Sequence, residues 1–296
     1  MLRFFVALIF LIPMLMLLAS HLGAFHPLGD SLAVFRGPVT AVGILSLLVF
    51  FKQGLRWLAI ASGMLLLWSS FTVLAPRFAF SAALDAPYAL YQKNMSFRMP
   101  NTGLILTDIL AKSPDFITLQ EVDQENLALM WALKDKYPAQ AFCPFAAVGG
   151  VAVMARWPIM DGSMRCDAGS GMVAMQVDTP DGPVWVVALH LHWAYPFGQV
   201  AQVRQMRAAL QELEGPVVLG GDFNMVPWSN TMRVITSATG TRRIGAPKQT
   251  LPLFDGLYNL PIDHVLVNAN NRPADIWMRP QLGSDHFGLL ARFYLR

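Results

Sequence analysis

The segment Val217–Asn224 has the sequence VVLGGDFN: three aliphatic residues, a glycine pair, and then an acid and an amide separated by one aromatic residue. Short apolar runs that end at turn residues are typical of buried strands. We therefore predict a buried strand over Val217–Leu219 with Asp222 and Asn224 at its carboxyl end. Functional residues concentrate in the loops at strand ends, so these two are the first candidates for a site.

The rest of the chain after residue 86 has the same character, with short apolar runs alternating with turns and a few helical stretches. Further strands are predicted at Tyr88–Tyr91, Phe116–Gln120, Gly150–Ala155, Met172–Val177, Val184–His190, Ile262–Val267 and Gly288–Phe293. Helices are predicted at Thr102–Lys112, Gln124–Tyr137 and Gly198–Leu213, the last with Gln199 and Gln202 on its polar side. This mixture predicts an α/β (α+β) domain in which helices cover a sheet.

Other predicted strands also end or begin at polar side chains: Asn94, Glu121, His190, Asp263, Asp285 and His286. Any one of them is more often a turn or capping residue than a catalytic one. Together with Asp222 they argue for a site, because four of the candidates are carboxylates: Glu121, Asp222, Asp263 and Asp285. Two unit charges about 4 Å apart interact by roughly 4 kcal/mol at an effective dielectric constant near 20. Four carboxylates on one rim would therefore need a cation or bound protons.

Oxygen-rich ligand sets favour Mg²⁺, Mn²⁺ or Ca²⁺ over zinc. The sequence has no His-Glu-x-x-His or Cys-x-x-Cys pattern for zinc. No Gly-Lys-Ser/Thr follows a glycine pair, which excludes a phosphate-binding loop of that type. A Gly-x-Ser-x-Gly nucleophile turn is also absent from the sequence.

The candidates belong to a series of short motifs along the chain. In order they are Asn94, LQEV with Glu121, GGVAVMARWP over 149–158, VALH with His190, GDFN with Asp222 and Asn224, IDH with Asp263, and SDH with Asp285 and His286. In these motifs and their order the sequence resembles the endonuclease/exonuclease/phosphatase superfamily. The resemblance extends from about Tyr88 to Arg296. It implies a four-layer α-β-β-α sandwich with two packed mixed sheets.

The resemblance also implies an activity, the hydrolysis of phosphoesters with a divalent metal, Mg²⁺ or Mn²⁺. In this interpretation Glu121 ligates the metal, with Asn94 and Asp285 near it. The substrate would be a nucleic acid, a phospholipid or a small phosphoester, and these alternatives stay open. A binding or scaffolding protein on a degenerate hydrolase fold is the alternative from another class.

The same resemblance assigns roles to the remaining candidates. His286 would be a catalytic imidazole oriented by Asp263. Asp222 would position or deprotonate the attacking water, Asn224 would hold a phosphate oxygen, and His190 would polarise another. Such roles match phosphoryl transfer, which needs an aligned nucleophile and stabilisation of charge on the non-bridging oxygens.

Two features depart from the family pattern. His192 follows His190 closely and precedes WAYPF over 193–197, a loop packed by its own aromatics or a wall facing substrate or membrane. The densest basic region, which contains Arg233, Arg242, Arg243 and Lys248, is an ordinary surface or a contact for an anionic substrate. We predict His192 and Arg243 as substrate-binding residues, whereas His264 is predicted to be structural.

The first 76 residues are far more apolar than the rest of the chain. Uncharged runs occupy Phe4–Ser20, Gly37–Phe51 and Trp57–Pro76. A membrane-spanning helix needs roughly 20 apolar residues. We predict a membrane anchor over 1–76 with three transmembrane helices, a linker over 77–87 and a catalytic domain over 88–296. Buried core helices and a cleavable signal peptide are the alternatives for these runs.

The flanking charges and the cysteines bear on the location of the catalytic domain. With three spans, Arg3, Lys52 and Arg56 fall on one side, and the positive-inside rule then puts everything after residue 76 outside the cytoplasm. Loss of the middle span would reverse this. Cys143 and Cys166 either form a disulfide or are two buried thiols.

The region after residue 76 has equal numbers of basic and acidic residues, although the whole chain has a net charge of +3. Binding to nucleic acid draws heavily on Lys and Arg that neutralise phosphates. A neutral domain therefore argues against long duplex DNA as substrate. The leading hypothesis is a membrane-anchored, divalent-metal-dependent phosphodiesterase or phosphomonoesterase.

Overall fold

The computed structural model describes residues 1–78, 85–99, 101–268 and 274–295. The helices in these ranges are α1 Leu2–Ala19, α2 Pro27–Val34, α3 Arg36–Lys52, α4 Arg56–Leu74, α5 Gly103–Lys112, α6 Leu127–Leu133, α7 Gln199–Gln211 and α8 Asn230–Thr239. The strands from β1 to β7 are Tyr88–Asn94, Phe116–Val122, Ala139–Ala146, Gly149–Ala155, Arg165–Cys166, Met172–Thr179 and Gly182–His190. Those from β8 to β14 are Val217–Asp222, Thr241–Arg243, Leu251–Leu253, Tyr258–Leu260, Asp263–Asn268, Ala274–Arg279 and Gly288–Phe293.

Two mixed six-stranded sheets form the centre of the domain after residue 86. The first has the strand order β13-β14-β1-β2-β4-β3, and the second has the order β5-β6-β7-β8-β12-β9. Pairing is parallel between β1 and β2 and between β7 and β8. A separate hairpin joins β10 to β11. In both sheets a parallel pair lies near the middle, so the carboxyl ends of these strands can meet at one rim.

Three apolar clusters hold the layers together. One fills the space between the sheets, a second lies between the second sheet and α7 and α8, and a third lies between the first sheet and α5 and α6. Since each sheet is covered on both faces, its central strands are buried along their length, as β1 and β8 are. The predicted four-layer α-β-β-α sandwich is confirmed.

The glycine pair of β8 allows the two sheets to approach each other. A Cβ atom on Gly220 would lie 2.2 Å from Thr118 Oγ1 in the opposite sheet. A Cβ atom on Gly221 would lie 2.4 Å from the carbonyl oxygen of Leu189 on the neighbouring strand. Any side chain at Gly220 would therefore push the sheets apart at the point where β8 ends in Asp222.

The structure differs from the sequence prediction at several elements. Strands β3, β5, β9, β10, β11 and β13 and helix α8 were not predicted. Strand β3 contains Pro144, which argues against a strand, but it lies at the edge of its sheet, where proline is tolerated. Helix α8 is rich in threonine and serine, and it forms between an N-cap at Ser229 and a left-handed glycine at Gly240. Helix α6 is shorter than the predicted Gln124–Tyr137.

Helices α1, α3 and α4 form a bundle at the start of the chain, joined by an apolar cluster around Leu17, Phe50 and Leu66. Arg36 ties one end of this bundle together. Its guanidinium donates to the hydroxyl and carbonyl oxygens of Ser20 after α1 and, at 3.1 Å, to Thr72 Oγ1 in α4. Many apolar side chains on the outer surface of the bundle remain exposed, including Ile9 and Leu67.

Among the described residues, one helical segment is long and apolar enough to cross a membrane: α4 with the 3₁₀ turn that follows it, Arg56–Phe78. Helices α2 and α3 pass the same test as a pair, but they meet at an angle of 81°, and α1 is a shorter apolar helix. The bend excludes a straight middle helix that starts near Ser31. Residues 79–84 of the predicted linker lie outside the described residues.

Helix α2 connects the bundle to the domain after residue 86. The buried carboxylate of Asp30 accepts hydrogen bonds from the backbone N–H groups of Asn230 and Thr231, at 2.7 and 2.8 Å. The carboxylate thereby provides acceptors for N–H groups at the start of α8, and its negative charge offsets the partial positive charge at that helix end. Trp228 Nε1 donates to the carbonyl of Ala33, 2.8 Å away, at the other end of α2.

Cys143 and Cys166 form a disulfide, which decides between the two alternatives left by the sequence. Cys143 lies on β3 in the first sheet and Cys166 on β5 in the second, so the bond links the two sheets at one edge.

Removal of this disulfide should lower the free energy of unfolding by about 3 kcal/mol, because the bond closes a loop of 23 residues in the unfolded chain. Thermal unfolding of the Cys143→Ser/Cys166→Ser variant should occur at a lower temperature than that of the wild type. Reductant should lower the melting temperature of the wild type and leave that of the variant unchanged. A wild-type protein whose unfolding is indifferent to reductant would contradict the assignment.

Candidate active site

Strand register brings the predicted residues to one rim of the sandwich. Parallel pairing of β7 with β8 sets His190 opposite Asp222, and antiparallel pairing of β8 with β12 sets Asp222 opposite Asp263. In the other sheet, Asn94 at the end of β1 pairs with Gln120, the residue before Glu121. The two sheets therefore contribute to the same group of side chains from opposite faces of the core.

Glu121 enters the group through an irregularity in its strand. The register between β2 and β4 shifts at this residue, whose φ is +56°, a left-handed conformation that few residues other than glycine adopt. Its carboxylate accepts hydrogen bonds from Asn94 Nδ2 at 3.1 Å and from the Phe97 amide at 2.9 Å. Burial raises the pKa of Glu121 despite these hydrogen bonds. Backbone strain of this kind concentrates at functional sites.

Asp263 and His286 form a buried pair. His286 Nδ1 lies 2.8 Å from Asp263 Oδ2, and Gln92 Nε2 donates to the other carboxylate oxygen at 3.0 Å. Burial alone would lower the pKa of His286, but the charges of Asp263 and Asp222 outweigh it and raise the pKa to about 9. His286 is therefore a cation at neutral pH, with its Nε2 directed away from Asp263.

Asp222 lies at the centre of the group. Its Oδ2 is 3.8 Å from both His190 Nε2 and His286 Nε2, and it accepts a hydrogen bond from Asn94 Nδ2 at 2.9 Å. Complete burial and the neighbouring charge of Asp263 raise the pKa of Asp222 above that of an ordinary aspartate. A carboxylate with a raised pKa is a stronger base than an exposed one.

His190 differs from His286 in its protonation. Burial, with the charge of His286 as a second cause, lowers the pKa of His190 to about 3, so its imidazole is neutral. Its Nε2 also lies 3.9 Å from Glu121 Oε1. Phe145 packs edge-on against the ring, with the ring centroids 5.2 Å apart. The site thus contains one neutral and one charged imidazole on either side of Asp222.

Two sets of three residues have ligand atoms close enough to share a metal ion. In each set, Glu121 with His190 and Asp222 or Asp222 with Asp263 and His286, the ligand atoms all lie within 4.8 Å of one another. The first set fits a divalent cation better, because in the second His286 is charged and hydrogen-bonded to Asp263. Asn94 Nδ2 donates to both Glu121 and Asp222 and so holds the two carboxylates of the first set close together.

Not every predicted residue joins the group. Asp285 is exposed and belongs to neither metal-ligand set, although its charge acts on Glu121 and His286. His192 is partly buried beside the same Phe145 ring that packs on His190. Arg243 lies elsewhere, at the edge strand β9, where its side chain donates to backbone carbonyls including that of Pro76.

Asn224 has a left-handed φ of +46° and shapes the loop after β8. Its side-chain nitrogen donates to the Leu191 carbonyl at 2.7 Å, and its backbone amide donates to Asp222 Oδ1 at 2.9 Å. His264 is fully buried and hydrogen-bonds to the Met225 carbonyl at 2.8 Å, as expected of a structural histidine.

Several supporting residues were not found by sequence reasoning. Gln92 holds Asp263, and the buried Lys93 donates to the carbonyls of Pro280 and His286. Gln199 and Gln202, predicted on the polar side of α7, are buried instead and donate to carbonyls of His192, Phe223 and His190. The sequence does not show whether a glutamine side chain on a helix face is buried or exposed. For Lys93 a signal was present, because a cationic residue lies directly before the candidate Asn94.

Solved structures resemble this fold at low sequence identity. A truncated Caenorhabditis elegans TDP2 is 16% identical, with 70% of this chain and 96% of that chain covered and a TM-score of 0.54. D. rerio TDP2 in complex with a single-stranded DNA product is 13% identical, with 70% and 98% covered and a TM-score of 0.55. A beta toxin from Staphylococcus aureus is 14% identical, with 69% and 99% covered and a TM-score of 0.52. Identities this low establish similarity of fold.

The sequence matches no curated protein, but it matches one family model. The match extends over residues 94–286, well over half of the chain, and its two ends coincide with Asn94 and His286. All the acids and imidazoles that meet around Asp222 lie within it. The chain therefore belongs to the endonuclease/exonuclease/phosphatase family and is an enzyme of that family's class, the metal-dependent phosphoester hydrolases.

Proposed function

We propose that this protein is a membrane-anchored hydrolase that cleaves phosphoesters of membrane lipids with the help of a divalent cation, Mg²⁺ or Mn²⁺. The observation that carries the proposal is the buried Asp222 between a neutral and a charged imidazole, with Glu121 beside it. Phosphoryl transfer needs a base for water and positive charge for the phosphate oxygens, and this arrangement offers both.

Each side chain can be given a role from its protonation state. Asp222, with its raised pKa, would accept a proton from the attacking water. The His286 imidazolium would stabilise negative charge on a phosphate oxygen or give its Nε2 proton to the leaving oxygen. The neutral His190 would donate a hydrogen bond to another phosphate oxygen, and Asn224 would help to hold the phosphate.

Glu121 is the residue we assign first to the cation, with Asp222 close enough to take part and with Asn94 and Asp285 as neighbours. Carboxylate oxygen ligands suit the hard cations Mg²⁺ and Mn²⁺. When bound, such an ion supplies Lewis-acid stabilisation of the phosphate and leaving oxygens.

Anchoring in a bilayer is supported by the bundle of α1, α3 and α4. Its outward-facing side chains are apolar and exposed, which is costly in water and favourable in lipid. Arg36 ties the helix ends that face the catalytic domain, at the level expected for a membrane interface. The disulfide between Cys143 and Cys166 supports an extracytoplasmic location of the catalytic domain, since such bonds persist in oxidising compartments.

Two apolar protrusions, the loop 193–197 and the β10–β11 hairpin, support a lipid substrate. One contacts each end of α2. The loop 193–197, which starts next to His192, has its Tyr195 ring against His26 and its Tyr195 carbonyl hydrogen-bonded to Ser31. In the β10–β11 hairpin, the Tyr258 hydroxyl donates to the Val34 carbonyl and the Tyr258 ring stacks on that of Phe35. Both protrusions thus lie at the level of the helix ends.

The tips of these protrusions are unusually apolar for a solvent-exposed surface. Trp193 and Phe197 are exposed on the loop, and Phe254 and Leu257 are 78% and 88% exposed at the hairpin tip. Active-site residues lie at the bases of both protrusions. His190 lies near the base of the loop. Asp263 lies at the base of the hairpin, where its backbone amide donates to the hydroxyl of Thr250, the residue before β10. A site between two such tips would meet phosphoesters in the headgroup layer.

Asp222→Asn and His286→Gln should each lower turnover by roughly 10²–10⁴-fold, the usual contribution of a group that moves a proton in the transition state. The measurement is the hydrolysis rate of a soluble phosphodiester by the purified full-length protein with Mg²⁺. Glu125→Gln, which neutralises an exposed carboxylate, should retain wild-type turnover. Full activity in either active-site variant would remove the assigned roles.

Chelation of divalent metal with EDTA should abolish hydrolysis, and added Mg²⁺ or Mn²⁺ should restore it. Glu121→Gln should raise the Mg²⁺ concentration needed for half-maximal activity, because the site loses a charged oxygen ligand. A titration of activity against Mg²⁺ measures this, with Glu125→Gln as the matched control. Hydrolysis that survives EDTA would refute the metal mechanism.

Substrate class can be tested with single-stranded DNA, plasmid DNA, and sphingomyelin and phosphoinositides in vesicles. The Phe254→Ser/Leu257→Ser variant should lower the ratio of lipid to soluble-substrate turnover by about ten-fold or more, given the value of burying two large apolar side chains. Trp131→Ser, at an exposed aromatic on α6 in the opposite layer, is the control. An unchanged ratio, or a preference for DNA, would exclude the lipid assignment.

A further inference from the structure

A cavity of about 770 Å³ lies between the helix bundle and the catalytic domain, away from the Asp222 group. The end of α4 contributes Trp68 and Phe71 to its lining, and the catalytic domain contributes Trp228, Arg233 and Arg243. Neither Trp68 nor Phe71 is covered by the described residues, since both are more than half exposed. The cavity therefore has an apolar side on the bundle and a basic side on the catalytic domain.

Arg243 is a cation without a counter-charge on this basic side. Its guanidinium donates to the carbonyls of Ile244, Gly245 and Pro76, and in the described part of the chain no carboxylate lies within ion-pair distance. Burial lowers the pKa of Arg243 to about 10, which leaves the side chain charged at neutral pH. A partly buried charge is costly unless an anion accompanies it.

The other charged groups of the lining are Arg36, Arg233 and Asp30, and together they leave the cavity cationic. Arg233 is exposed, and among the described residues its guanidinium hydrogen-bonds only to the neutral Asn230 side chain. Asp30 also lines the cavity, but its carboxylate oxygens already accept hydrogen bonds from Asn230 and Thr231 at the start of α8. The site is thus suited to an anion that reaches both arginines.

An anionic phospholipid has the chemistry that matches both sides. Its phosphate suits two guanidinium groups, which form strong charge-assisted hydrogen bonds with phosphate oxygens. Its glycerol backbone and acyl chains suit the stacked Trp68 and Phe71 rings, whose centroids are 5.9 Å apart. Aromatic side chains at the end of a spanning helix are typical of the membrane interface, where headgroups lie.

We propose that the cavity between α4 and α8 binds the phosphate headgroup of an anionic phospholipid through Arg233 and Arg243, with the lipid chains along Trp68 and Phe71. The proposal rests on the membrane anchoring in the proposed function and is independent of catalysis. It gives the basic region around Arg243 a role as a lipid-binding site outside the active site. A lipid bound there would contact the bundle and the catalytic domain together.

The test is binding of phosphatidylglycerol to the full-length protein in neutral detergent, with EDTA present so that no lipid is hydrolysed. Phosphatidylglycerol should raise the melting temperature in a saturable way, whereas phosphatidylcholine should not. In Arg233→Gln/Arg243→Gln the apparent dissociation constant should rise by about ten-fold or more, because charge-assisted contacts are lost. Arg207→Gln, at an exposed arginine on α7, should bind like the wild type.

Arg233→Gln alone provides a second test, since this exposed residue can be replaced without disturbing the core; it should weaken binding in the same direction. Native mass spectrometry of the wild type should show one retained phosphatidylglycerol. Equal stabilisation of the wild type and both arginine variants, or of the wild type by phosphatidylcholine, would overturn the proposal. Saturation of the same effect by inorganic phosphate would overturn the lipid assignment in favour of a soluble anion.

Discussion

The close contact between the two sheets at Gly220 is the constraint on which the rest of the structure depends. A side chain at this position would meet Thr118 in the opposite sheet, so only glycine lets β8 lie directly over β1 and β2. The contact occurs two residues before Asp222. It therefore fixes how far the β8 carboxylate lies from Asn94 and Glu121, which come from the other sheet. The small size of Gly220 therefore determines both the distance between the sheets and the position of Asp222 at the rim.

The protonation states of the two active-site histidines depend on their burial and on the carboxylate next to each ring. Asp263 bonds directly to His286 and holds it as a cation, whereas His190 has no such carboxylate partner and is neutral. The two imidazoles are equally buried, so the difference comes from the partner of each ring rather than from solvent exposure. One aspartate between them can then act as a base while a cation lies on one side only.

Much of the fold and the outline of the site could be predicted from the sequence, because strand ends with polar residues have a clear signature. Strand β14 was predicted with its observed limits, and Asp222, Asp263 and His286 meet as expected. The bulge that turns Glu121 inward could not be predicted, since it depends on pairing with β4. The burial of Gln199 and the exposure of Asp285 depend on tertiary contacts that have no local pattern.

The sequence predicts a boundary between an anchor over 1–76 and a catalytic domain over 88–296. The hydrogen bonds of Asp30 cross it, so the two segments are not separate units in the fold. Asp30 precedes the first strand of the sandwich, yet it completes the start of α8, and Trp228 and Tyr258 are likewise bonded to carbonyls of Ala33 and Val34. A shortened polypeptide that began at residue 77 would leave these donors without their acceptors. Preparing a soluble form of the enzyme would thus require the segment around α2 to be kept or its partners to be redesigned.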